Sequence, residues 1–331
     1  MSVETRTVAA DEADTRLDRW FKRHYPQVTH GHLQKLLRTG QVRVEDKRAK
    51  ADQRLEPGQT VRVPPIRPED DRPEAAKARP AVSEREAKEL LRRVLYKDDD
   101  VIVIDKPHGL AVQGGTGTTK HLDGMLDALA FDGERPKLVH RLDRDTSGVL
   151  VLARNVFAAN ALAKTFRGHE ARKIYWAIVM GHPQPYQGRI DLALAKQAGP
   201  RGERVAEAGE EGQKAVTVYT TLEHIGRKAA WLALWPQTGR THQLRVHCAS
   251  ALKCPILGDG KYGEGAAHAD LLGSEIDNKL HLHARRIIMP HPRKGRIDVT
   301  APPSPHFQAT LDYLGLSLPG RERDPFEDYE R

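Results

Sequence analysis

The sequence is short of cysteine, of aromatic residues and of long apolar runs. Its two cysteines, Cys248 and Cys254, are too few for a disulfide framework and suit a reducing compartment. No stretch approaches the roughly 18 consecutive apolar residues of a membrane span. The first residues, MSVETRTVAADEAD, lack the apolar segment of a secretory signal. We therefore expect a cytoplasmic protein that binds no membrane.

Positive charge is what the sequence has in excess. In 331 residues, 53 lysines and arginines outnumber 45 acidic residues, and the formal net charge is +8. The segment 16–50 holds ten of these cations against the three acids Asp18, Glu45 and Asp46, so it carries most of the excess. Such a segment is often a solvated face, but it also suits a polyanionic partner such as a nucleic acid.

A small domain of two helices and short strands is predicted for residues 14–63. Leu17, Trp20 and Phe21 have the i, i+3, i+4 spacing of a helix. The stretch LQKLLRTG indicates a second helix that ends at Gly40, where a C-terminal glycine is favoured. QVRVEDKRAK alternates like a half-buried strand, and TVRV is predicted to form another strand after a turn.

A linker is predicted for residues 64–82, because five prolines and many charges within residues 64–80 cannot bury a core. Ser83 and Glu86 have the spacing of a capping box, which indicates the start of a helix. The residues that this helix is predicted to bury are Leu90, Leu91, Val94 and Leu95.

A second, larger domain is predicted for residues 83–320, and strand signals dominate it. Two helical stretches, HLDGMLDALA and NVFAANALAKTFRGH, lie between the strands. The order does not alternate as in a doubly wound sheet, so the predicted fold class is α+β with a mixed, largely antiparallel sheet. The predicted strands are 101–105, 148–153, 174–181, 215–225, 229–236 and 287–289.

One stretch places charged side chains directly before a predicted buried strand. In HRLDRDTSGVLVLA (140–153), Asp143 has Arg141 and Arg144 close on either side. A carboxylate in such a place is most often part of an ion pair that holds a loop. It can also be a reagent that nearby cations keep ionised.

Four motifs in order resemble the RluA family of RNA pseudouridine synthases. They are IDKPHGLAVQGG (104–115), HRLDRDTSG (140–148), RKIYWAIVMG (172–181) and PQTGRTHQLRVH (236–247). The resemblance covers residues 97 to about 315 and implies the pseudouridine synthase fold for the second domain. The first domain resembles an S4 RNA-binding domain, and the combination is most similar to the RluC subgroup, which modifies large-subunit ribosomal RNA.

The resemblance implies an isomerisation in which the N1–C1′ bond of uridine breaks, the uracil rotates, and C5 bonds to C1′. Asp143 would be the carboxylate that acts on the ribose, as a nucleophile at C1′ or as a base that removes the 2′ hydrogen. Arg245 would form an ion pair with Asp143. Tyr175 would stack on uracil and handle the C5 proton, while Trp176 packs in the core. No cofactor and no metal are implied.

The same resemblance implies contacts with RNA. Arg141 holds the position of a residue that fills the space left by a flipped-out nucleotide or contacts that nucleotide. The partner would be ribosomal RNA of the large subunit, or its precursor, and we expect the enzyme to be a monomer. The phosphate contacts expected in the S4-like domain are Arg16, Lys35, Arg38 and Arg43.

Two other classes of function are weighed against this one. A non-catalytic S4-type RNA-binding factor in ribosome assembly would not need the trio Asp143, Tyr175 and Arg245, all of which are present. A glycoside or nucleoside hydrolase would need a second carboxylate, and none resembling it accompanies Asp143.

Two further groups of residues receive no catalytic role. The histidines and cysteines of the second domain lack the paired C-x-x-C spacing of a structural zinc site. The segment ILGDGKYG (256–263) matches the family, but the sequence assigns it no role. The histidines and cysteines considered are His242, His247, Cys248, Cys254, His281 and His283.

Overall fold

The computed structural model describes residues 3–66, 82–114, 120–131, 133–199, 202–263, 273, 275–318, 324–327 and 329. The chain divides into two compact units, Met1–Ala81 and Val82–Arg331. Most of the predicted linker (64–82) and part of the glycine-rich stretch that follows residue 113 lie outside the described residues. In the described part of the chain, no helix is long and apolar enough to cross a membrane.

The described residues of the first unit form two α-helices, a short 3-10 helix (Ala10–Glu12) and a four-stranded sheet, and the two α-helices share one hydrophobic core with the sheet. The sheet has the order β1-β4-β2-β3. The helices bury the predicted apolar faces, and Gly40 ends the second helix with a positive φ of 70°. The elements are Glu4–Thr7 (β1), Leu17–His24 (α1), His30–Arg38 (α2), Arg43–Val44 (β2), Lys47–Arg48 (β3) and Thr60–Val63 (β4).

Two features of the first unit differ from the sequence-based expectation. Strand β1 pairs with β4, so the sheet begins before the predicted boundary at residue 14. The single strand expected in QVRVEDKRAK is a hairpin instead, because Glu45 and Asp46 have positive φ angles of 50° and 58° between β2 and β3. Aspartate tolerates this left-handed conformation better than most residues do, and two such residues in succession suit a two-residue turn.

The second unit is built on a ten-stranded sheet, with a separate two-stranded hairpin. The hairpin strands are Leu194–Gly199 (β11) and Gly202–Glu207 (β12). The helices are Glu84–Arg92 (α3), Leu122–Met125 (α4), Val156–Arg167 (α5), Gln243–Val246 (α6) and Pro305–Tyr313 (α7). The strands of the sheet are Val94–Lys97 (β5), Val101–Lys106 (β6), Lys137–Leu138 (β7), Ser147–Ala153 (β8), Arg172–Met180 (β9), Gln187–Asp191 (β10), Val216–Ile225 (β13), Ala229–Pro236 (β14), Leu282–Pro290 (β15) and Arg296–Thr300 (β16).

The sheet order is β10-β13-β14-β9-β15-β8-β6-β5, with β16 on β15 and β7 on β8. Strands β15 and β8 run parallel, pairing His283 with Ser147. The other strand pairs of the described residues are antiparallel. The prediction of an α+β fold with a mixed, largely antiparallel sheet is therefore confirmed.

Helix α3 is shorter than predicted. Ser83 and Glu86 form the predicted capping box, and Leu90 is buried, but the helix ends at Arg92 and Leu91 is exposed. The next residues form β5, in which Val94 pairs with Ile104 of β6. Pairing with an existing buried strand stabilises an extended conformation here more than continued helix would.

Strand β8 leads out of the HRLDRDTSG motif, and its surroundings determine where that motif lies. Leu150 and Leu152 pack into one core cluster, and Val149 and Val151 pack into another, so both faces of the strand are buried. At its start, Gly148 has a φ of 104°, and a Cβ there would collide with the backbone of β15. The loop before β8 is therefore attached to a strand that cannot shift.

Candidate active site

One cavity of the second unit brings together four residues that the sequence singled out. It has a volume of about 310 Å³ and is lined by Arg141, Asp143, Tyr175 and Arg245, among others. This size lies within the usual range for small-molecule sites. The loop 140–146, strand β9, the residues after β14 and helix α6 form its walls.

The cavity lining carries mostly positive charge. Among the described lining residues, Asp143 is the one carboxylate. The arginines are Arg141, Arg240 and Arg245, and Lys173 adds an amine whose pKa is lowered by burial. Arg141 is exposed and makes no ion pair with the described residues. A cavity of this charge favours a polyanionic ligand.

Asp143 is not held by the arginines that surround it in the sequence. Arg144 pairs with Asp145 instead, with 3.0 Å between Nε and Oδ1. Among the described residues, the nearest basic nitrogen to the Asp143 carboxylate is Nε2 of His242, 3.9 Å from Oδ2. The Asp143 side chain remains 24% exposed, so its oxygens are available to a ligand.

Lys106 holds the loop of Asp143 through the backbone. Its Nζ is fully buried and donates hydrogen bonds to the carbonyl oxygens of Arg144, Leu110 and Pro107 at 2.8–2.9 Å. Burial lowers the pKa of Lys106 to about 7, against the attraction of nearby aspartates. The loop is thus anchored from the core side, away from the cavity.

His140 orients the same loop as a neutral ring. Its Nε2 accepts a hydrogen bond from the backbone N–H of Val151 (2.8 Å), and its ring stacks on Phe166. Burial, followed by the charge of Lys173, lowers the pKa of His140 to about 3. A proton acceptor for catalysis at neutral pH is therefore not expected at this position.

Tyr175 and Trp176 face opposite sides of β9. Tyr175 lines the cavity together with Lys173, whereas Trp176 is buried and packs edge-on against Trp231 at 4.7 Å between ring centroids. Burial, and then the charge of Asp143, raises the pKa of Tyr175. The hydroxyl is thus protonated at neutral pH, where it can donate a hydrogen bond while the ring offers a stacking surface.

The partner of Arg245 differs from the one that the resemblance implies. Arg245 Nε and Nη2 donate to the two carboxylate oxygens of Asp259 at 2.8 and 2.6 Å, and no direct ion pair joins Arg245 to Asp143 among the described residues. The reason is geometric: Asp259 matches the planar guanidinium in a bidentate pair. Asp143 attracts Arg245 at longer range, across the cavity.

Asp259 is saturated with hydrogen bonds. Its side chain is fully buried, and Oδ1 also accepts the backbone N–H groups of Lys261 and Tyr262 at 3.0 Å. Burial alone would raise the pKa of Asp259, but the hydrogen bonds and charge of Arg245 outweigh it and lower the pKa. The turn begins at Gly258, whose φ of 75° and close approach to the backbone of Lys279 leave no room for a Cβ.

Sequence reasoning missed three residues of this site. Asp259 and Tyr262 belong to ILGDGKYG, a segment that matches the family without an assigned role, and that match was the signal that could have found them. His242 was considered only as a metal ligand. In the described part of the chain, no group of three or more metal-ligating side chains is present, and Cys248 and Cys254 are buried thiols.

Of the four basic residues predicted to bind RNA in the first unit, two lie at the same groove. Arg16 and Arg38 line one groove with Lys50. Lys35 is exposed but does not line that groove. Arg43 is half-buried and donates to the carbonyl oxygens of Gly40 and Asp46, both at 3.1 Å.

Known proteins resemble both the sequence and the fold. The family described as RNA pseudouridylate synthase matches residues 100–250. Ribosomal large subunit pseudouridine synthase C of Escherichia coli is 36% identical, over 89% of this chain and 91% of that protein. Mitochondrial RNA pseudouridine synthase 4 of Arabidopsis thaliana is also 36% identical, over 86% of this chain and 72% of that protein.

A solved structure has the same fold. Human RNA Pseudouridylate Synthase Domain Containing 4 superposes with a TM-score of 0.60 at 31% identity, covering 71% of this chain and 97% of that one. The fold and the cavity thus define an isomerase that modifies RNA. The chain belongs to the RluA family of RNA pseudouridine synthases.

Proposed function

We propose that this enzyme is of the RluC type and converts specific uridines of large-subunit ribosomal RNA to pseudouridine, with Asp143 acting on the ribose. The names of the bacterial relatives support the choice of RNA. The observation that carries the proposed role of Asp143 is its position as the one carboxylate among the described residues that line a cationic cavity.

A single carboxylate suits this reaction. When the N1–C1′ bond breaks, the uracil keeps the electron pair and delocalises it over its two carbonyl groups, so it needs no acid to leave. On one route Asp143 attacks C1′ as the uracil leaves, and C5 of the rotated uracil then displaces the carboxylate from C1′. On the other route Asp143 removes the 2′ hydrogen to give a glycal, and it returns that proton to C2′ when C5 bonds to C1′. The C5 proton is lost and N1 gains a proton, so atoms and electrons balance without an external reagent.

The same observation disfavours a hydrolase. Glycosidases place two carboxyl groups about 5–9.5 Å apart to protonate the leaving group and to attack or activate water. Among the described lining residues, Asp143 has no such partner. Phe166, Leu244 and Leu282 add apolar surface to the cavity wall, which favours a bound nucleobase over water molecules.

RNA recognition is proposed to involve both units. Arg141, exposed at the cavity, would contact the displaced nucleotide or fill its place after base flipping. The segment 14–63 would act as an S4-like domain, joined by the linker 64–82 to the catalytic domain 83–320. Arg16, Lys35, Arg38 and Arg43 would bind phosphates there.

The test compares Asp143→Asn with Asp145→Asn in cells that lack the chromosomal gene. Pseudouridine is mapped chemically across ribosomal RNA, and turnover of the purified variants is measured on ribosomal RNA from the deletion strain. We expect Asp143→Asn to lose about 10⁴-fold in turnover with RNA affinity nearly intact. Asp145→Asn breaks the pair with Arg144 and weakens the attraction of Asp145 for Lys106, but it removes no side chain that lines the cavity, so it is expected to retain most of the turnover.

Two results would contradict the proposal. Full turnover by Asp143→Asn would remove this carboxylate from the chemistry. Deletion of the gene with loss of pseudouridine only outside large-subunit ribosomal RNA would show that the RNA is wrong.

A further inference from the structure

We infer that His242 is a positioning residue for Asp143, and that the Tyr262 hydroxyl determines which nitrogen of its ring carries the proton. The inference rests on the proposed role of Asp143. His242 Nε2 lies 3.9 Å from Asp143 Oδ2, and His242 Nδ1 lies 2.8 Å from the Tyr262 hydroxyl. The ring thus lies between the two side chains.

The backbone of His242 is held in an uncommon conformation. Its φ of 53° and ψ of 18° are left-handed, immediately before α6. Non-glycine residues in this region cost free energy and persist where the surroundings require them. Here the next residue is fixed: the buried amide of Gln243 bonds to Thr217 and Thr238. The His242 ring packs edge-on against Tyr262 at 5.5 Å.

Hydrogen bonding at Tyr262 determines the tautomer of His242. The Tyr262 hydroxyl accepts the backbone N–H of Val205 (3.2 Å), and Tyr262 is buried, so its own proton needs an acceptor. Among the described residues, His242 Nδ1 is the acceptor within hydrogen-bond distance. A neutral imidazole that accepts at Nδ1 carries its proton on Nε2, the nitrogen that faces Asp143.

His242 can support the Asp143 carboxylate without becoming charged. Burial lowers its pKa; Asp143 and Asp259 favour the cation, whereas Arg245 and Lys261 oppose it. The ring is therefore neutral at pH 7. A neutral N–H that donates to a carboxylate favours the ionised form of that carboxylate.

Asp143 needs such a donor because Arg245 is already committed to Asp259. At 3.9 Å the contact is longer than a hydrogen bond. Hydrogen bonds of this kind are often long in unliganded enzymes and shorten in the complex with substrate. We expect Nε2–H to reach Asp143 when uridine occupies the cavity.

A matched pair of substitutions separates the two nitrogens of the ring. The amide of His242→Gln extends to about the position of Nε2, whereas that of His242→Asn is shorter and reaches only the position of Nδ1. We expect His242→Gln to retain kcat within a few-fold. His242→Asn should lose about 10- to 100-fold, the range for a lost hydrogen bond to a charged group, with little change in KM for ribosomal RNA.

Stability provides the control for this pair. Asparagine tolerates a left-handed backbone better than glutamine does. Thermal unfolding should therefore rank His242→Asn at or above His242→Gln, whereas kcat should rank them in the opposite order. A purely structural role for His242 would rank activity and stability in the same order, and that result would overturn the inference.

A double-mutant cycle tests the part of Tyr262. Tyr262→Phe removes the hydroxyl and keeps the ring that the Arg245 guanidinium covers at 5.1 Å. We expect it to lower kcat several-fold in the wild-type background, because the His242 ring loses the hydrogen bond that holds its orientation as well as its tautomer. It should have little effect on top of His242→Gln, whose amide lies at the position of Nε2 and not at that of Nδ1. The same loss in both backgrounds would show that Tyr262 acts only by packing.

The inference and the proposed function fail in different ways. If Asp143→Asn kept its turnover, the role of Asp143 would be wrong whatever His242 does. If Asp143→Asn lost turnover while His242→Gln and His242→Asn had equal kcat values, the role of Asp143 would stand and the positioning role would be wrong.

Discussion

Two aspartates near Arg245 have opposite surroundings. Asp259 is fully buried and accepts four hydrogen bonds, two of them from Arg245. Asp143 is 24% exposed, and among the described residues its nearest basic nitrogen is 3.9 Å away. Both carboxylates are attracted by the Arg245 guanidinium, but only Asp259 forms an ion pair with it.

This difference separates a structural carboxylate from a reactive one. A fully buried carboxylate that already accepts four hydrogen bonds is closed to a substrate, and removing it would leave a buried cation unpaired. A partly exposed carboxylate keeps its lone pairs for chemistry while the fixed guanidinium attracts it from a distance. The neighbours of Asp143 along the chain would by themselves have suggested an ion pair, since Arg141 and Arg144 lie close on either side of it.

The largest expected effect is on stability, from Asp259→Asn. The neutral amide cannot compensate the buried guanidinium of Arg245, and breaking a buried pair by removing one partner costs about 3–5 kcal/mol. Urea unfolding measures this loss. As a control, Asp191→Asn breaks the exposed pair with Arg189 and should cost at most about 1 kcal/mol.

If Asp259→Asn and Asp191→Asn lost the same free energy of unfolding, the contrast between a buried and an exposed carboxylate would fail. That result would mean that burial of the pair between Asp259 and Arg245 contributes nothing to stability. Turnover should fall together with stability in Asp259→Asn, since Arg245 is then no longer held at the cavity.

Acid should narrow the difference in unfolding free energy between the wild type and Asp259→Asn. The hydrogen bonds and charge of Arg245, acting against burial, give Asp259 a folded pKa below its ordinary value of 3.8. The pair therefore stabilises the fold at neutral pH, and this contribution is lost as the pH falls below that ordinary value towards the lower folded one. The gap in unfolding free energy between wild type and Asp259→Asn should narrow over this range. A gap that stays constant down to pH 3 would contradict the assignment.

The smallest expected effect extends the same contrast to the first unit. Arg16 is paired with Asp18 at 2.6 Å, whereas Arg38 makes no ion pair with the described residues. If unpaired charges bind RNA and paired ones stabilise the fold, Arg38→Gln should weaken the salt dependence of binding. The slope of the log association constant for ribosomal RNA against log salt should become less negative by about 0.7–0.9.

Arg16→Gln should change that slope by a smaller amount. Filter binding of ribosomal RNA across a salt titration measures both, with the wild type as reference. An unchanged slope in Arg38→Gln would mean that this part of the first unit does not contact phosphates.

The strands of the core could be predicted from sequence because the runs are almost continuously apolar. Residues 101–105 and 229–236 are strands at or within a residue of the predicted bounds. Strands β10, β11 and β12 were missed because polar, exposed stretches carry little hydrophobic period. The prediction also extended helix α3 too far. Leucine and valine at helical spacing fit a helix, but the residues from Val94 onward pair with a neighbouring strand instead.

The site was harder to predict than the fold. The motifs located Asp143, Tyr175 and Arg245, and the structure places them at one cavity, although their roles stay predictions. The pairing of Arg245 with Asp259 could not be predicted, because a sequence gives residue types but not which of two carboxylates lies in the plane of a guanidinium. Residue types alone also cannot give a tautomer, which depends on hydrogen bonds across three segments.

The anchoring of the reactive loop by Lys106 has a consequence for mutagenesis. Its three hydrogen bonds go to main-chain oxygens, one of them that of Arg144 in the loop itself, and every amino acid provides such an oxygen. Replacing the exposed side chains of Arg141 or Arg144 therefore leaves this anchor in place. A loss of activity in such a variant reports on contacts of the side chain and not on a displaced loop.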